Sequence, residues 1–258
     1  MLALLSPAKK MNFETPDTNF SGGEPLFRDE AYQLAKQLND LSFQKLKTLL
    51  PISDNLLKLN MDRYKNFELQ PEKSSVRKAL YAFSGDTYVG LDAQSFSDKE
   101  IMYADNSIRI ISGLYGLLKP SDLIQPYRLE MGTKLNNEKG SDLYDFWRDL
   151  ILKELDSILS SHKEKTIINL ASKEYFNVVD VNNIDAKILD TDFLEEKDGV
   201  TKIISFFAKK ARGAMANYIV KNKINNCQDL KGFNLHGYKF RPDLSSELKY
   251  VYSRSSEK

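Results

Sequence analysis

The sequence predicts a single mixed α/β domain, residues 1–258, with a central mixed sheet flanked by helices. Apolar, β-branched segments alternate along the chain with segments of helical periodicity, which is the order expected of such a fold. Hydrophobic residues make up 41% and charged residues 28% of the chain, the balance of a globular protein with a sizeable core. No repeat, low-complexity linker or abrupt change in composition divides it, so we expect one compact unit.

Six segments have strand character, and most are short apolar runs rich in β-branched residues. The first lies within the first five residues and lacks the basic flank and cleavage site of a signal peptide, so it is interpreted as a buried strand. The predicted strands are Leu2–Leu5, Leu80–Phe83, Ile108–Ile111, Thr166–Leu170, Lys187–Leu189 and Lys202–Phe206.

Five segments place apolar residues at helical spacing. The tail from Gly237 is interpreted as a β-hairpin that turns near Pro242 and Asp243. We expect Thr15–Pro25 and the last few residues to be the most flexible parts of the chain. The predicted helices are Arg28–Asn39, Phe43–Leu50, Asn55–Asn66, Asp142–Ser160 and Ala208–Lys223.

Four of the predicted strands end in a short polar turn. In open α/β sheets, ligand sites collect at the carboxyl ends of parallel strands. If the four strands are parallel neighbours, their turns converge on one crevice lined by lysine, arginine, serine, glutamate and tyrosine. The turns are Ser6–Lys10, Ser112–Gly116, Ala171–Tyr175 and Ala208–Gly213.

Charge is sorted into blocks although the net charge is only +1. Residues 199–228 contain six basic side chains and no acidic one, whereas residues 180–198 contain seven acidic side chains and two lysines. Lys209, Lys210 and Arg212 lie at the start of a predicted helix, where free backbone N–H groups bind phosphate, and Gly213 leaves room for a bulky anion. The alternative is a solvated basic helix with an apolar face on the core.

Residues 43–66 predict two short amphipathic helices joined at Pro51–Asp54, as in a helix–hairpin–helix element. Such a hairpin holds DNA by pointing backbone N–H groups at phosphates, with Lys47, Lys58, Arg63 and Lys65 as additional charged contacts. The hairpin lacks the glycines usual in that motif. An ordinary helical hairpin, in which Asp54 caps the second helix, stays open as the alternative.

Two further segments carry mixed polar and aromatic side chains. Residues 111–132 describe a rigid loop around Tyr115, Tyr127, Arg128 and Glu130, which either bind a ligand or form an internal Arg128–Glu130 pair with packed tyrosines. Residues 172–175 place a carboxylate and a phenol in the proposed crevice, where the carboxylate acts as a general acid or base or holds a lysine.

Several functional classes have no support in the sequence. No apolar run approaches the roughly 20 residues of a membrane span. Cys227 is the only cysteine, which excludes an internal disulfide and fits the cytoplasm. His162 and His236 are isolated, and no Walker A or Gly-x-Gly-x-x-Gly loop is present. We expect no metal site, no cofactor and no stable protein partner.

Five segments, in the same order along the chain, resemble the YaaA family of bacterial peroxide-stress proteins. The resemblance implies a compact mixed α/β fold, a helix–hairpin–helix element beside a positively charged cleft, binding of double-stranded DNA, and protection against iron-dependent DNA damage. Lys10 stands where the family often has a small hydroxyl residue, which favours phosphate attraction and counts against a catalytic hydroxyl there. The matching segments are Leu4–Lys9, Ser112–Gly116, Pro126–Gly132, Asn169–Phe176 and Phe207–Gly213.

The first hypothesis is a cytoplasmic protein that binds double-stranded DNA without sequence preference. The second is an enzyme of glycosylase or lyase type that acts on a nucleotide or damaged base in the same crevice. Direct iron sequestration, a third possibility, has no ligand set to support it. The candidate phosphate-binding residues are Lys9, Lys10, Ser53, Lys58, Arg63, Arg128, Lys209, Lys210 and Arg212. The candidate pocket residues are Ser6, Tyr115, Tyr127, Glu130, Ser172, Glu174 and Tyr175.

Overall fold

Strands from the whole length of the chain build the central sheet. The computed structural model describes residues 1–14 and 22–255, so most of the segment expected to be flexible, residues 15–21, and the end of the tail lie outside the described residues. The strands are β1 (Leu2–Leu5), β2 (Lys10–Met11), β3 (Arg77–Lys78), β4 (Phe83–Ser84), β5 (Ile108–Ser112), β6 (Gly116–Leu118), β7 (Leu123–Ile124), β8 (Thr166–Leu170), β9 (Lys187–Lys197), β10 (Val200–Lys202), β11 (Lys239–Phe240) and β12 (Lys249–Ser255).

The central sheet has the strand order β11-β12-β9-β8-β1-β5-β6, with β10 paired to the outer part of β9. Neighbours from β12 through to β5 run parallel, whereas β11, β10 and β6 are antiparallel additions. Every residue of β1 and β5 is buried, as expected of parallel strands covered on both faces. The sheet is therefore mixed, and the predicted tail hairpin is confirmed as β11 and β12 with a turn at Pro242–Leu244.

Helices flank this sheet and complete a single compact mixed α/β domain. All five helices predicted from the sequence are present, with ends that differ from the prediction by three residues at most. The helices are α1 (Arg28–Asn39), α2 (Phe43–Leu49), α3 (Asp54–Lys65), α4 (Ala79–Ala82), α5 (Asp86–Leu91), α6 (Asp98–Ser107), α7 (Leu143–Ser160), α8 (Lys173–Phe176) and α9 (Ser205–Lys221). Single 3₁₀ turns are Lys73–Ser75, Ala93–Ser95, Cys227–Gly232, Leu235–Gly237 and Pro242–Leu244.

Two predicted strands are wrong. The segment Leu80–Phe83 lies mostly in the short helix α4, because a run of four apolar residues carries no periodicity and alanine and leucine favour the helix. The segment Lys202–Phe206 contains only the last residue of β10. Asp198 and Gly199 turn the chain back on β9 with positive φ angles of 53° and 75°, and α9 has already begun at Ser205.

The strand predicted at Lys187–Leu189 is correct but too short, since β9 continues to Lys197. Leu189, Thr191, Phe193 and Glu195 are buried at every second position, while the acidic residues between them point the other way. The acidic composition of the segment concealed this period of two, which is the signature of a strand.

Helices α5 and α9 cross at unusually close range. A Cβ atom on Gly213 would lie 1.7 Å from the Thr87 carbonyl oxygen, and one on Gly90 would lie 2.0 Å from the Lys210 carbonyl oxygen. Gly213 is therefore covered by α5 and leaves no room for an anion, contrary to the expectation from the sequence. Among the helices of residues 1–14 and 22–255, none has both the length and the apolarity needed to cross a membrane.

Candidate functional site

The winding of the chain reverses between β1 and β8. From β1 the chain adds β5 and β6 on one side, and it then returns to add β8 and β9 on the other. In open α/β sheets, the crevice at such a switch point is the usual place for a ligand. Here the Ser172 backbone N–H donates to the Ser6 hydroxyl at 2.8 Å, which in turn lies 3.3 Å from the Ser172 hydroxyl. Of the four polar turns predicted to converge, those that contain Ser6 and Ser172 therefore do so, whereas Ala208–Gly213 lies within helix α9 and follows no strand of its own.

A cleft of about 630 Å³ opens beside this switch point. We name it the hairpin cleft, because the α2 helix and the connection to α3 form one wall. It brings together four of the residues proposed from the sequence, Lys9, Arg128, Glu130 and Glu174. Its lining residues are Lys9, Lys45, Thr48, Leu49, Pro51, Ile52, Arg128, Glu130, Gly132, Thr133, Lys134 and Glu174.

Glu130 binds two of the basic side chains of the cleft. Its Oε1 accepts hydrogen bonds from Arg128 Nε at 3.2 Å and Nη2 at 2.9 Å, and it lies 3.6 Å from Lys9 Nζ. The expected internal Arg128–Glu130 pair is therefore present. Glu174 accepts from the Gly132 backbone N–H at 3.2 Å, so it holds the loop that carries Lys134.

The helical hairpin is held by serine caps at both helix starts. Ser42 accepts from the Lys45 backbone N–H at 3.4 Å, and Ser53 accepts from the Leu56 backbone N–H at 3.5 Å. Ser53 therefore occupies the capping position that the sequence suggested for Asp54. Asp54 instead pairs with Lys47 at 2.5 Å.

Helix α3 is attached directly to the loop after β7 that carries Arg128. The Tyr64 hydroxyl donates to the Arg128 carbonyl oxygen, and the pKa of Tyr64 is raised because the ring is buried. Arg63, the preceding residue, is half-buried, and both this burial and the nearby positive charge of Arg128 lower its pKa. Arg63 does not line the cleft, but it adds positive charge near Arg128, as expected of a site that attracts anions.

The three candidate tyrosines lie in the core and do not line the hairpin cleft. Tyr127 is 4% exposed and its hydroxyl hydrogen-bonds to that of Ser112 at 2.6 Å. The Tyr115 hydroxyl accepts from a backbone N–H of the same loop, and Tyr175 is the buried residue of α8. Burial raises the pKa of all three phenols, so they remain protonated at neutral pH.

The basic segment of α9 does not line the hairpin cleft. Since α9 begins at Ser205, Lys209 and Arg212 lie beyond its first turn and not at its free N–H groups. Arg212 is largely buried, and this burial lowers its pKa. The negative charge of Asp192 acts in the opposite direction and partly offsets the charge of Arg212.

Lys210 lines a second cleft of about 860 Å³, at the carboxyl ends of β9 and β12, which we name the tail cleft. The lining residues of the tail cleft are Glu195, Glu196, Phe206, Phe207, Lys210, His236, Gly237, Lys239, Arg241, Ser253, Arg254 and Ser255.

Lys10 and Lys58 are exposed on β2 and α3 and line neither cleft. Sequence reasoning missed Lys45 and Lys134, both exposed and both in the hairpin cleft. A signal for each was present: Lys45 precedes the buried Leu46 in the predicted hairpin, and Lys134 follows the matching segment Pro126–Gly132 by two residues.

Within residues 1–14 and 22–255, no three histidine, cysteine, aspartate or glutamate side chains cluster so as to hold a metal ion. The chemistry available in the hairpin cleft is therefore that of lysine, arginine and two carboxylates. This inventory allows binding of an anion and proton transfer by Glu130 or Glu174.

Comparison with known proteins gives the same assignment as the sequence motifs. The family model described as peroxide stress protein YaaA matches residues 1–244. A UPF0246 protein of Tolumonas auensis is 45% identical over 257 residues, which cover 100% of this chain and 99% of that protein. The chain therefore belongs to the YaaA family of peroxide stress proteins.

Proposed function

We propose that the chain binds double-stranded DNA without sequence preference, through the hairpin cleft. The observation that carries the proposal is that basic side chains from four separate segments line one cleft together with the hairpin connection Pro51–Ile52. These side chains are Lys9 after β1, Lys45 on α2, Arg128 after β7, and Lys134 in the following loop. Phosphate contacts of this kind fix a protein on DNA and carry no sequence information.

The balance of charge in the cleft favours an anion. Its four basic side chains face two carboxylates, those of Glu130 and Glu174. Lys45 and Lys134 have no carboxylate partner among the described residues, so their full charge is available to a phosphate. Arg63 adds a fifth positive charge beside Arg128. A near-neutral protein can therefore present a local positive surface.

The helical hairpin supplies a second means of binding phosphate. The first-turn N–H groups of α3 are helix N-terminal donors, and only one of them is capped by Ser53. Because the connection before α3 lines the cleft, a backbone phosphate seated there would lie beside these donors. This arrangement supports the helix–hairpin–helix interpretation of residues 43–66.

DNA binding gives a direct role in peroxide stress. Ferrous iron bound along the phosphate backbone converts peroxide into radicals at the DNA itself. Lysines and arginines that neutralise phosphates displace bound cations from the duplex. A protein of this family that covers DNA in this way would limit iron-dependent damage without binding iron.

The test is a titration of a fluorescent 20-base-pair duplex, followed by anisotropy at several salt concentrations. The double variant Lys45→Ala/Lys134→Ala should reduce the slope of log K against log salt by about 1.8, since each phosphate contact contributes about 0.9. The matched control is Lys99→Ala/Lys153→Ala, two exposed lysines that line neither cleft. An unchanged slope in the first variant, or an equal change in both, contradicts the proposal.

The two carboxylates support a second candidate function, removal of a damaged base extruded into the cleft. Glu174 and Glu130 line the same space, and either one can act as general acid or base. The protein should then release base or cleave strand on a duplex that contains an oxidised purine, and Glu174→Gln should abolish this turnover. Duplex binding without release or cleavage rejects the enzyme and leaves the binding function.

A further inference from the structure

The tail cleft lies at the carboxyl ends of two parallel strands that the hairpin cleft does not use. Glu195 and Glu196 contribute from the end of β9, residues 253–255 from the end of β12, and Phe206, Phe207 and Lys210 from the start of α9. Ligands of open α/β sheets bind at this edge. Its volume of about 860 Å³ is that of a site for a small organic molecule.

The floor of the tail cleft is fixed by a paired arginine. Arg254 Nε donates to both oxygens of Glu195, at 2.8 and 3.1 Å, and this carboxylate is 2% exposed. The guanidinium carbon lies over the rings of Phe207 and Tyr238, at 4.7 and 4.9 Å from their centroids. Arg254 also donates to the His236 carbonyl oxygen at 3.1 Å. These contacts pair Arg254 with Glu195 and hold its guanidinium in one position.

Two lysines of the tail cleft have no such partner. Lys210 and Lys239 form no ion pair with any carboxylate in the described part of the chain. By contrast, Arg241 is occupied by Asp243 at 2.7 Å and by Glu196 at 3.2 Å. The uncompensated positive charge of the cleft therefore comes from the two lysines.

The pKa of His236 is sensitive to the positive charge of the tail cleft. Burial lowers the pKa of its imidazole, and the charges of Lys210 and Arg254 lower the pKa further. An anion bound near Lys210 would cancel part of that effect and raise the pKa of His236.

An exposed aromatic ring completes the tail cleft. Phe206 is 54% exposed and meets Phe207 edge to face, with ring centroids 5.4 Å apart. Large apolar side chains in the first turn of a helix are ordinarily turned towards the core. An exposed aromatic ring in the same cleft as unpaired lysines matches a molecule that has both a flat ring and a phosphate group.

We propose that the tail cleft binds a nucleotide, with the base stacked on Phe206 and the phosphates between Lys210 and Lys239. This site is separate from the hairpin cleft, and it gives the chain a second ligand besides the DNA duplex.

Titration of the full-length protein with ADP, followed by calorimetry and by the ¹H NMR signals of the two histidines, tests the proposal. ADP should bind with a dissociation constant below about 1 mM and raise the pKa of His236 but not that of His162. The variant His236→Gln assigns the two signals. Phe206→Ala and Lys210→Ala/Lys239→Ala should each weaken binding at least about tenfold, whereas Val89→Ala and Lys99→Ala, which change exposed residues elsewhere, should not.

The other outcomes are decisive as well. Absence of ADP binding at 1 mM, or binding that survives both tail-cleft variants, overturns the proposal. Inorganic phosphate that binds as tightly as ADP shows an anion site and no nucleotide site. A decathymidylate that displaces ADP identifies the nucleotide as part of a strand, whereas no displacement identifies a free nucleotide. ADP binding that is lost in Lys45→Ala/Lys134→Ala places the nucleotide in the hairpin cleft and refutes the tail cleft, whatever the outcome for DNA.

Discussion

Replacing Glu130 by glutamine should strengthen DNA binding. Glu130 Oε1 accepts from Arg128 at 2.9 Å and lies 3.6 Å from Lys9 Nζ, so one carboxylate occupies two cations of the proposed DNA site. A glutamine amide oxygen can still accept from Arg128, so the variant removes the charge and preserves the geometry. Lys9, whose side chain is 67% exposed, is then free to contact a phosphate.

The size of the effect follows from counterion release. One additional phosphate contact adds about 0.9 to the slope of log K against log salt, which is roughly eightfold in affinity at 0.1 M salt. Loss of the Glu130 charge also removes repulsion between this carboxylate and the bound phosphates, so we expect duplex DNA to bind Glu130→Gln about tenfold more tightly at 0.1 M. The difference should disappear as salt approaches 1 M, where the Debye length is about 3 Å.

Anisotropy of a labelled duplex at four salt concentrations measures both quantities. The isosteric control is Glu138→Gln, which changes an exposed carboxylate that lines neither cleft. Unchanged or weaker binding by Glu130→Gln would refute the placement of DNA against Lys9 and Arg128. An equal gain in the control would show that only net charge matters.

Two further predictions concern stability. Burial raises the pKa of Asp122 to about 7, so the folded state holds a proton that the unfolded chain releases near pH 4. Between pH 4 and pH 8, the free energy of unfolding of the wild type, measured with urea, should therefore fall by up to about 4 kcal/mol relative to that of Asp122→Asn. Parallel pH profiles of the two proteins would contradict this prediction. Gly213→Ala would place a methyl group 1.7 Å from the Thr87 carbonyl oxygen. The substitution should lower the free energy of unfolding by about 3 kcal/mol, because α5 and α9 must move apart. An unchanged unfolding midpoint would contradict the close crossing.

All five predicted helices are present, although α5 and α6 were not predicted, whereas two of the six predicted strands are wrong. Arg28–Asn39 is confirmed at both ends because its apolar residues repeat over three turns. The strand prediction is wrong at Leu80–Phe83 because a short apolar run carries no periodicity. It is wrong at Lys202–Phe206 because the turn at Asp198 and Gly199 sets where β10 ends and α9 begins. The strand β9 was predicted too short. Its exposed acidic residues alternate with buried residues, and the acidic composition of the segment conceals that alternation.

Some residues of the candidate site could be predicted from the sequence and others could not. A sequence shows which side chains are charged, but it does not show which of them form ion pairs. The convergence of the Ser6 and Ser172 turns follows from the parallel pairing of β1 with β8, a pattern that strand order makes predictable. The position of Lys210 in the tail cleft could not be predicted from the strand order. It depends on how far β9 and the β9–β10 hairpin extend before α9 begins. The burial of Tyr127 depends likewise on the packing of a loop without regular structure.

Pairing, and not the count of basic residues, determines where a molecule of net charge +1 can attract phosphate. Lys45 and Lys47 lie two residues apart on the same helix, yet Lys47 is held by Asp54 at 2.5 Å while Lys45 faces the hairpin cleft. The acidic block beside the basic block has the same effect, since Asp192 and Glu195 offset the charges of α9 and β12. Within the two clefts, the lysines without a carboxylate partner among the described residues are Lys45 and Lys134 in one and Lys210 and Lys239 in the other. We therefore expect the basic block to contribute less to the proposed binding than its charge implies, and Lys45 and Lys134 to contribute more.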